Sequence, residues 1–241
     1  MALPKIDKPL FDLVIPSTKK KIKVRPMLVK EEKILLLARE SGEDGDILNS
    51  IKQVVNNCIV DSKINVNELS IFDLEYIFTQ IRAKSVGEVI ELLFPCDIDH
   101  GEQNDKAKVK ISIDLTKIEV ETPEGHEPKI DLFDEVGIMM KYPTIEVMSK
   151  LEKIDADDVD NIFDIIAECI NFIYEGDKIH YAKEQKKEEL VSFLGNLNSQ
   201  QFLKVQQFFA TMPRIKQEVD YTCPICSKIH HKVLEGMQSF F

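Results

Sequence analysis

The sequence predicts an α+β fold made of two tandem copies of one arrangement, a hairpin, three helices and a second hairpin, with approximate internal two-fold symmetry. Short β-prone runs bounded by turn-forming residues indicate hairpins at the ends of each half. Longer segments with helical periodicity separate these hairpins. The same order of elements occurs twice, as expected of an internal repeat. A chain of 241 residues is long enough to bury a core of its own.

The first half begins with a hairpin around the turn Pro16-Ser17-Thr18. Gly42 and Gly45 separate its first helix from its second. Ser70 is the expected N-cap of the third helix, and Asp73 lies three residues later as an acidic variant of the capping box. In this half the predicted strands are 11–15, 21–25, 86–94 and 108–115, and the predicted helices are 29–39, 47–60 and 70–83.

The second half repeats this order and adds one segment. Pro143 closes its first hairpin as Pro26 closes that of the first half, and Cys223 corresponds to Cys96. The spacings of such pairs differ, so the second half must contain insertions, the largest of about 20 residues around 177–197. The predicted strands are 129–132, 137–142, 215–221 and 230–234, and the predicted helices are 144–153, 157–174 and 199–211.

A linker is predicted between the two copies. The segment from Glu119 to Lys129 contains Glu121-Thr122-Pro123-Glu124-Gly125, in which Pro and Gly favour irregular backbone. We therefore expect two domains. Residues 1–122 would form the first repeat, and residues 123–241 the second repeat with its helical insertion and a C-terminal Cys-x-x-Cys hairpin.

Charge and hydropathy narrow the classes of partner. The chain has 31 Lys and Arg against 42 Asp and Glu, a formal net charge of −11. Sequence-independent binding to nucleic acid needs a basic face, and the basic cluster Lys19–Arg25 is better explained as a hairpin turn with exposed strand positions. No apolar run approaches the length of a membrane span, and the N-terminus lacks an apolar signal sequence. We expect a cytosolic protein that binds neither nucleic acid nor membrane.

The sequence lacks the common catalytic and nucleotide-binding motifs. There is no G-x-S-x-G, G-x-x-x-x-G-K-[ST], G-x-G-x-x-G or H-E-x-x-H pattern. The acidic run Asp155–Asp160 has Asp160 and Ile166 where a calcium loop requires Gly and Glu, so it is interpreted as the acidic first turn of a helix. His126 and His180 are expected in loops or on the surface. We assign no catalytic residue and predict that the protein is not an enzyme.

The five cysteines do not favour a disulfide framework, because their number is odd and no signal sequence precedes them. Cys58 and Cys169 lie in apolar helical segments and are expected in the core. In contrast, Cys223-Pro224-Ile225-Cys226 lies between two strand-like runs, where two thiolates in one tight turn are typical of a zinc knuckle. A redox dithiol would instead open a helix after a strand.

Cys223 and Cys226 supply only half of a tetrahedral zinc site. The other two ligands could be Cys96 and His100, if the two hairpins face each other, or one of the pair His230-His231 from the same hairpin. The alternative is a reduced or vestigial dithiol with no metal, because Asp99 occupies the place of the second cysteine in the first hairpin. The sequence therefore allows two interpretations: a structural zinc site, or a dithiol that requires no cofactor.

Several stretches together resemble the baseplate hub assembly proteins of T-even-type contractile-tailed bacteriophages. The most specific is Val29–Leu36, within the longer match Pro26–Leu36. The resemblance covers nearly the whole chain, and no enzymatic residues are carried over from it. The other matching stretches are Ala2–Ile6, Phe72–Tyr76, Arg82–Glu88, the Cys-x-x-Cys hairpin and the ending Ser239-Phe240-Phe241.

The resemblance implies a role in building the central hub of the baseplate, as a chaperone-like assembly factor or as a resident structural subunit. The implied partners are other phage baseplate hub proteins, met in the host cell cytoplasm during assembly, and the virion baseplate is the final location if the chain stays there. The terminal Gly236–Phe241 segment is either an anchor for such a partner or a strand tucked into the chain's own core. From the residues alone, the competing hypothesis is a small zinc-dependent or thiol-based catalyst centred on Cys223 and Cys226.

Overall fold

The structure, a computed structural model, describes residues 7–41, 44–61, 63–151 and 159–240. Its helices and antiparallel sheets confirm the predicted α+β class. The chain forms two compact units: the first comprises the described parts of Met1–Val66, Phe72–Glu121 and Arg214–Phe241, and the second those of Asn67–Ile71 and Thr122–Pro213. The sequence interpretations of residues 2–6, Gly42, 155–158 and Phe241 fall outside the described residues.

The N-terminal part of the first unit follows the predicted order. Its elements are β1 (Phe11–Val14), β2 (Lys21–Val24), α1 (Val29–Ser41), α2 (Asp44–Cys58), α3 (Ile71–Ser85), β3 (Val89–Phe94), β4 (Val109–Asp114) and β5 (Glu119–Glu121). β1 pairs with β2 and β3 with β4, both antiparallel. Gly45 does not separate two helices but lies inside the first turn of α2, where the nearby acidic Asp46 is favoured by the helix dipole. The expected linker is partly a strand, β5.

The second unit contains a four-stranded antiparallel sheet with helices packed on it. Its elements are β6 (Lys129–Phe133), β7 (Val136–Met140), α4 (Ile145–Leu151), α5 (Val159–Glu168), β8 (Ile170–Glu175), β9 (Lys178–Tyr181), α6 (Lys187–Gly195) and α7 (Ser199–Ala210). The sheet order is β6-β7-β8-β9. Its core includes the buried side chains Ile138, Ile170, Leu194 and Val205.

The predicted helix over 157–174 is wrong over its last six residues. α5 ends at Glu168, and β8 follows as a strand that pairs with both β7 and β9. β-Branched and aromatic residues dominate β8, which suits a pleated and half-buried surface. Gly176, with φ 57°, and Asp177 then make a two-residue connection to β9.

The C-terminal hairpin consists of β10 (Arg214–Thr222) and β11 (Ile229–Glu235), and the sheet order is β11-β10-β5. β10 pairs with β5 from Arg214↔Glu121 to Lys216↔Glu119. This pairing groups the hairpin with the first unit, whereas the sequence had placed it in a second domain of residues 123–241. The difference arises because strand pairing across a long sequence separation leaves no local signal.

The described end of the chain is packed into the first unit. A 3-10 helix spans Met237–Phe240, and the side chains of Met237 and Phe240 are buried. The Met237 amide donates to Glu75 Oε1 at 3.3 Å. The described part of the tail is thus tucked into the chain's own core, as the second of its two interpretations expected, but as a 3-10 helix and not as a strand. In the ranges that the structure describes, no helix has the length and apolar character needed to cross a bilayer.

Candidate metal centre

Two turns of the first unit bring four metal-ligating side chains together. Cys96 and His100 lie in the connection between β3 and β4, and Cys223 and Cys226 lie in the turn between β10 and β11. One ligand atom of each of the four residues lies within 4.8 Å of the corresponding atoms of the others. The structure therefore brings together one of the two ligand sets that the sequence had left open.

The donor atoms lie close together without a covalent bond. Cys96 Sγ is 3.8 Å from Cys226 Sγ, and Cys223 Sγ is 3.5 Å from His100 Nε2. All three cysteines are free thiols. Cys223 is 1% exposed, Cys96 and His100 are half-buried, and Cys226 is exposed, so the cluster is anchored in the core on one side and reaches solvent on the other.

The first cysteine of each turn accepts a hydrogen bond from the backbone two residues later. The Ile98 amide donates to Cys96 Sγ at 3.4 Å, and the Ile225 amide donates to Cys223 Sγ at 3.4 Å. Such amide donors favour the thiolate, which is the form of cysteine that binds metal. The two turns therefore have matching local chemistry although they lie in different hairpins.

The second ligand of each turn is followed by a residue with left-handed backbone. Gly101, with φ 61°, follows His100, and Ser227, with φ 57°, follows Cys226. Asp99 Oδ1 accepts from the Gly101 amide at 2.9 Å. His100, four residues after Cys96, is the residue of the first turn that joins Cys96 in the cluster, whereas Cys226 lies three residues after Cys223.

The two other histidines that were considered as ligands have different environments. His230 is buried, its Nε2 lies 3.2 Å from Cys96 Sγ, and its Nδ1 lies 3.2 Å from Asp97 Oδ2. Its position beside Cys96 is that of a residue supporting a ligand. His231 Nδ1 lies 2.7 Å from Asp220 Oδ1 on the exposed side of the hairpin, away from the cluster.

The electrostatics of the cluster favour a thiolate at Cys223. Burial opposes its ionisation, but the amides of Cys226 and Ile225 and the thiols of Cys226 and Cys96 outweigh burial, so the pKa of the Cys223 thiol falls to about 6. At Cys96, desolvation and the neighbouring sulfurs raise the pKa instead. At neutral pH the Cys223 sulfur therefore carries a negative charge, which favours the binding of a cation.

Three sulfurs and one imidazole nitrogen form a donor set for a borderline-soft cation such as Zn²⁺. Four protein donors complete a tetrahedral coordination sphere, whereas a catalytic zinc keeps a position open for water or substrate. The arrangement is therefore suited to holding hairpins together rather than to activating a substrate.

His126 and His180, which were expected in loops or on the surface, are not part of the cluster. In the second unit, half-buried His126 contacts Thr211 Oγ1 at 2.9 Å and Tyr142 Oη at 3.0 Å. His180 is exposed on β9, 3.9 Å from Glu175. The position of His230 beside Cys96 was not predicted, and the apolar pattern of β11 does not indicate it, because Ile229 and Val233 are exposed whereas His230 is buried.

Comparison with known proteins gives one match. The family model described as "T4 bacteriophage base plate protein" matches residues 8–241. Neither the curated proteins nor the solved structures contain a match. Since the family model spans almost the whole chain, it confirms the resemblance to phage baseplate proteins that the sequence had indicated, and this chain belongs to the T4 bacteriophage base plate protein family.

Proposed function

We propose that this protein is a baseplate hub assembly protein that acts without catalysis, as an assembly factor or a structural subunit. The observation that carries the proposal is the family match over residues 8–241. Its partners are other hub proteins of the same phage, and it meets them in the host cell cytoplasm while the baseplate is built. If it stays bound to them, its final location is the virion baseplate.

An exposed apolar face on α1 supports binding through protein–protein contacts. Val29, Leu36 and Leu37 are all exposed, Leu36 and Leu37 each to 55%. Spacings of seven and eight residues place them on one side of a helix. Apolar side chains grouped on one exposed face are a feature of protein-binding surfaces. We call these three residues the α1 apolar face.

A non-catalytic role is supported by the number of donor atoms in the candidate metal centre. Four donors within 4.8 Å of one another leave no coordination position for a substrate. A reactive thiol would be partly exposed beside positive charge, whereas Cys223 is 1% exposed and its pKa is lowered mainly by amide and thiol hydrogen bonds. The first feature counts against a catalytic zinc at this site, and the second counts against Cys223 as a reactive thiol.

We also propose that the chain arose by tandem duplication with approximate two-fold symmetry. The order hairpin, helices, hairpin occurs from β1 to β4 and again from β6 to β11, and β8, β9 and α6 would be the insertion in the second copy. The closing hairpins each carry a cysteine turn with the same amide-to-sulfur hydrogen bond. Superposition of the two copies in an experimental structure tests this, and helices packed in a different order would contradict it.

Co-purification tests the proposed function. A tagged full-length chain would be expressed during phage infection and recovered at successive stages of assembly, with bound proteins identified by mass spectrometry. Leu36→Ser combined with Leu37→Ser tests the α1 apolar face. Leu203→Ser on α7 is the matched control, because Leu203 is also exposed, to 61%, but lies on a different helix.

We expect the wild type and the Leu203→Ser variant to carry hub proteins of the phage, and the double variant to lose most of them while keeping its melting temperature. Recovery of the chain without any hub component, from both baseplate intermediates and mature tails, would refute the proposed function. Equal recovery of hub proteins by all three chains would remove the α1 apolar face as the contact surface but leave the function standing.

A further inference from the structure

We propose that the first unit binds one structural Zn²⁺ through Cys96 Sγ, His100 Nε2, Cys223 Sγ and Cys226 Sγ, and that this ion cross-links the β3–β4 and β10–β11 hairpins. The proposal depends on the positions of these donors and not on the baseplate role. Its failure and the failure of the proposed function are therefore separate outcomes.

Two of the distances between the donor atoms match those of a tetrahedral zinc site, and all of them lie within 4.8 Å. With Zn–S bonds of about 2.3 Å and Zn–N bonds of about 2.0–2.1 Å, tetrahedral angles place two sulfurs about 3.8 Å apart and a sulfur and a nitrogen about 3.6 Å apart. The structure has 3.8 Å between Cys96 Sγ and Cys226 Sγ and 3.5 Å between Cys223 Sγ and His100 Nε2. Each turn thus supplies ligands at the distance that a shared ion requires.

A disulfide does not account for the same arrangement. An S–S bond is about 2.05 Å long, far below the separation of Cys96 Sγ and Cys226 Sγ, and pairing these two would leave Cys223 and His100 still converging on the same point. In addition, the amides of Ile98 and Ile225 donate to the sulfurs of Cys96 and Cys223. Such hydrogen bonds stabilise the thiolate form of cysteine, which is the form that binds a metal ion.

The cross-link joins parts of the chain that are distant in sequence. Cys96 and Cys226 are separated by 130 residues. Among the described residues, strand pairing joins the C-terminal hairpin to the rest of the first unit through the three-residue strand β5, and Tyr221 Oη donates to the Pro95 carbonyl at 2.8 Å. Because an ion held by the folded but not the unfolded chain stabilises the fold, zinc should fix the C-terminal hairpin in place. Removing zinc should therefore destabilise the first unit.

The test is metal analysis of the purified full-length protein, followed by cobalt exchange. We expect about one zinc per chain, and a Co²⁺-exchanged protein with the intense visible bands of tetrahedral coordination and a sulfur-to-cobalt charge-transfer band. A zinc chelator should lower the melting temperature of the wild type.

Four variants assign the ligands. Cys226→Ser is the main one, because Cys226 is exposed and its substitution leaves the core intact. Cys226→Ser and His100→Asn should lose stoichiometric zinc, and the chelator should no longer lower their melting temperatures. His231→Asn is the matched control for His100→Asn and should keep zinc. His230→Asn, which removes only the group beside Cys96, should weaken zinc binding by roughly 10- to 100-fold.

Three outcomes would overturn the proposal. One is wild-type protein without stoichiometric zinc whose cobalt complex lacks tetrahedral bands. Another is a Cys96–Cys226 disulfide, detected as a mass lower by two hydrogens that reduction restores. The third is a variant pattern in which His230→Asn abolishes binding and His100→Asn does not, since that would assign a different ligand set.

Discussion

Replacing Glu31 by Gln tests whether a buried ion pair holds the start of α1 against the first hairpin. The Glu31 side chain is 0% exposed and accepts from Arg25 Nη2 at 3.0 Å and from the Leu28 amide at 2.8 Å. Arg25 is itself buried, and its amide donates to the Cys58 carbonyl at 2.9 Å. The pair therefore connects the residue after β2, the first turn of α1 and the end of α2.

The expected effect of Glu31→Gln is a loss of about 3 kcal/mol of stability. Breaking a buried pair typically costs about 3–5 kcal/mol, because the remaining charge stays buried without compensation. The Gln amide oxygen can still accept a hydrogen bond from the Leu28 amide, so we expect a loss at the lower end of this range. Glu91→Gln is the matched control: Glu91 pairs with Lys110 on exposed strand positions, and such pairs contribute about 0–1 kcal/mol.

The assay is urea unfolding followed by circular dichroism, with hydrogen exchange and mass spectrometry to locate the destabilised segments. Glu31→Gln should lower the midpoint and increase exchange in β2, α1 and α2. If it has no more effect than Glu91→Gln, the ion pair does not hold these elements together. Replacing both partners, as Arg25→Met with Glu31→Leu, should recover much of the loss, since no charge is then left buried.

The effect of Glu31→Gln should also depend on pH. Burial acts to raise the pKa of Glu31, but the Arg25 guanidinium and the Leu28 amide outweigh it and hold the pKa below its ordinary value of 4.5. Because the unfolded chain then binds more protons than the folded chain near that pH, the contribution is fully present above about pH 4.5 and is lost as the pH falls through the lowered pKa. The difference between wild type and Glu31→Gln should accordingly shrink in acid.

Two further predictions concern the tail and the second unit. Phe240→Ala should destabilise the first unit by about 3–5 kcal/mol, because the Phe240 side chain is 1% exposed; a urea midpoint equal to that of the wild type would exclude the tail from the core. Burial lowers the pKa of His126 below its ordinary value of 6.5, so protonation favours the unfolded chain, and stability should fall as the pH drops from 7.5 to 5.5. His126→Gln should reduce this dependence of stability on pH. If the variant and the wild type lose equal stability between pH 7.5 and 5.5, the pH dependence arises from other groups.

Most of the local structure was predictable because its signals are local. Alternation predicted β4, a strand-like run predicted β10, and helical segments were predicted at α1, α3 and α7 to within a few residues. β8 was mistaken for helix because a short apolar run suits either state. Pairing with β7 and β9, which lie elsewhere in the sequence, determines that it is a strand.

The sequence by itself determined the α+β class and the family resemblance, and it indicated Cys223 and Cys226 as candidate metal ligands. Only the tertiary structure placed His100 among the cysteines and His231 away from them, and only it joined the C-terminal hairpin to β5. The physical reason is the same in both cases. Residue type and local spacing indicate which side chains can bind a metal and which segments can form strands. Their partners, more than 90 residues away in sequence, depend on the packing of the whole unit, for which the sequence contains no local signal.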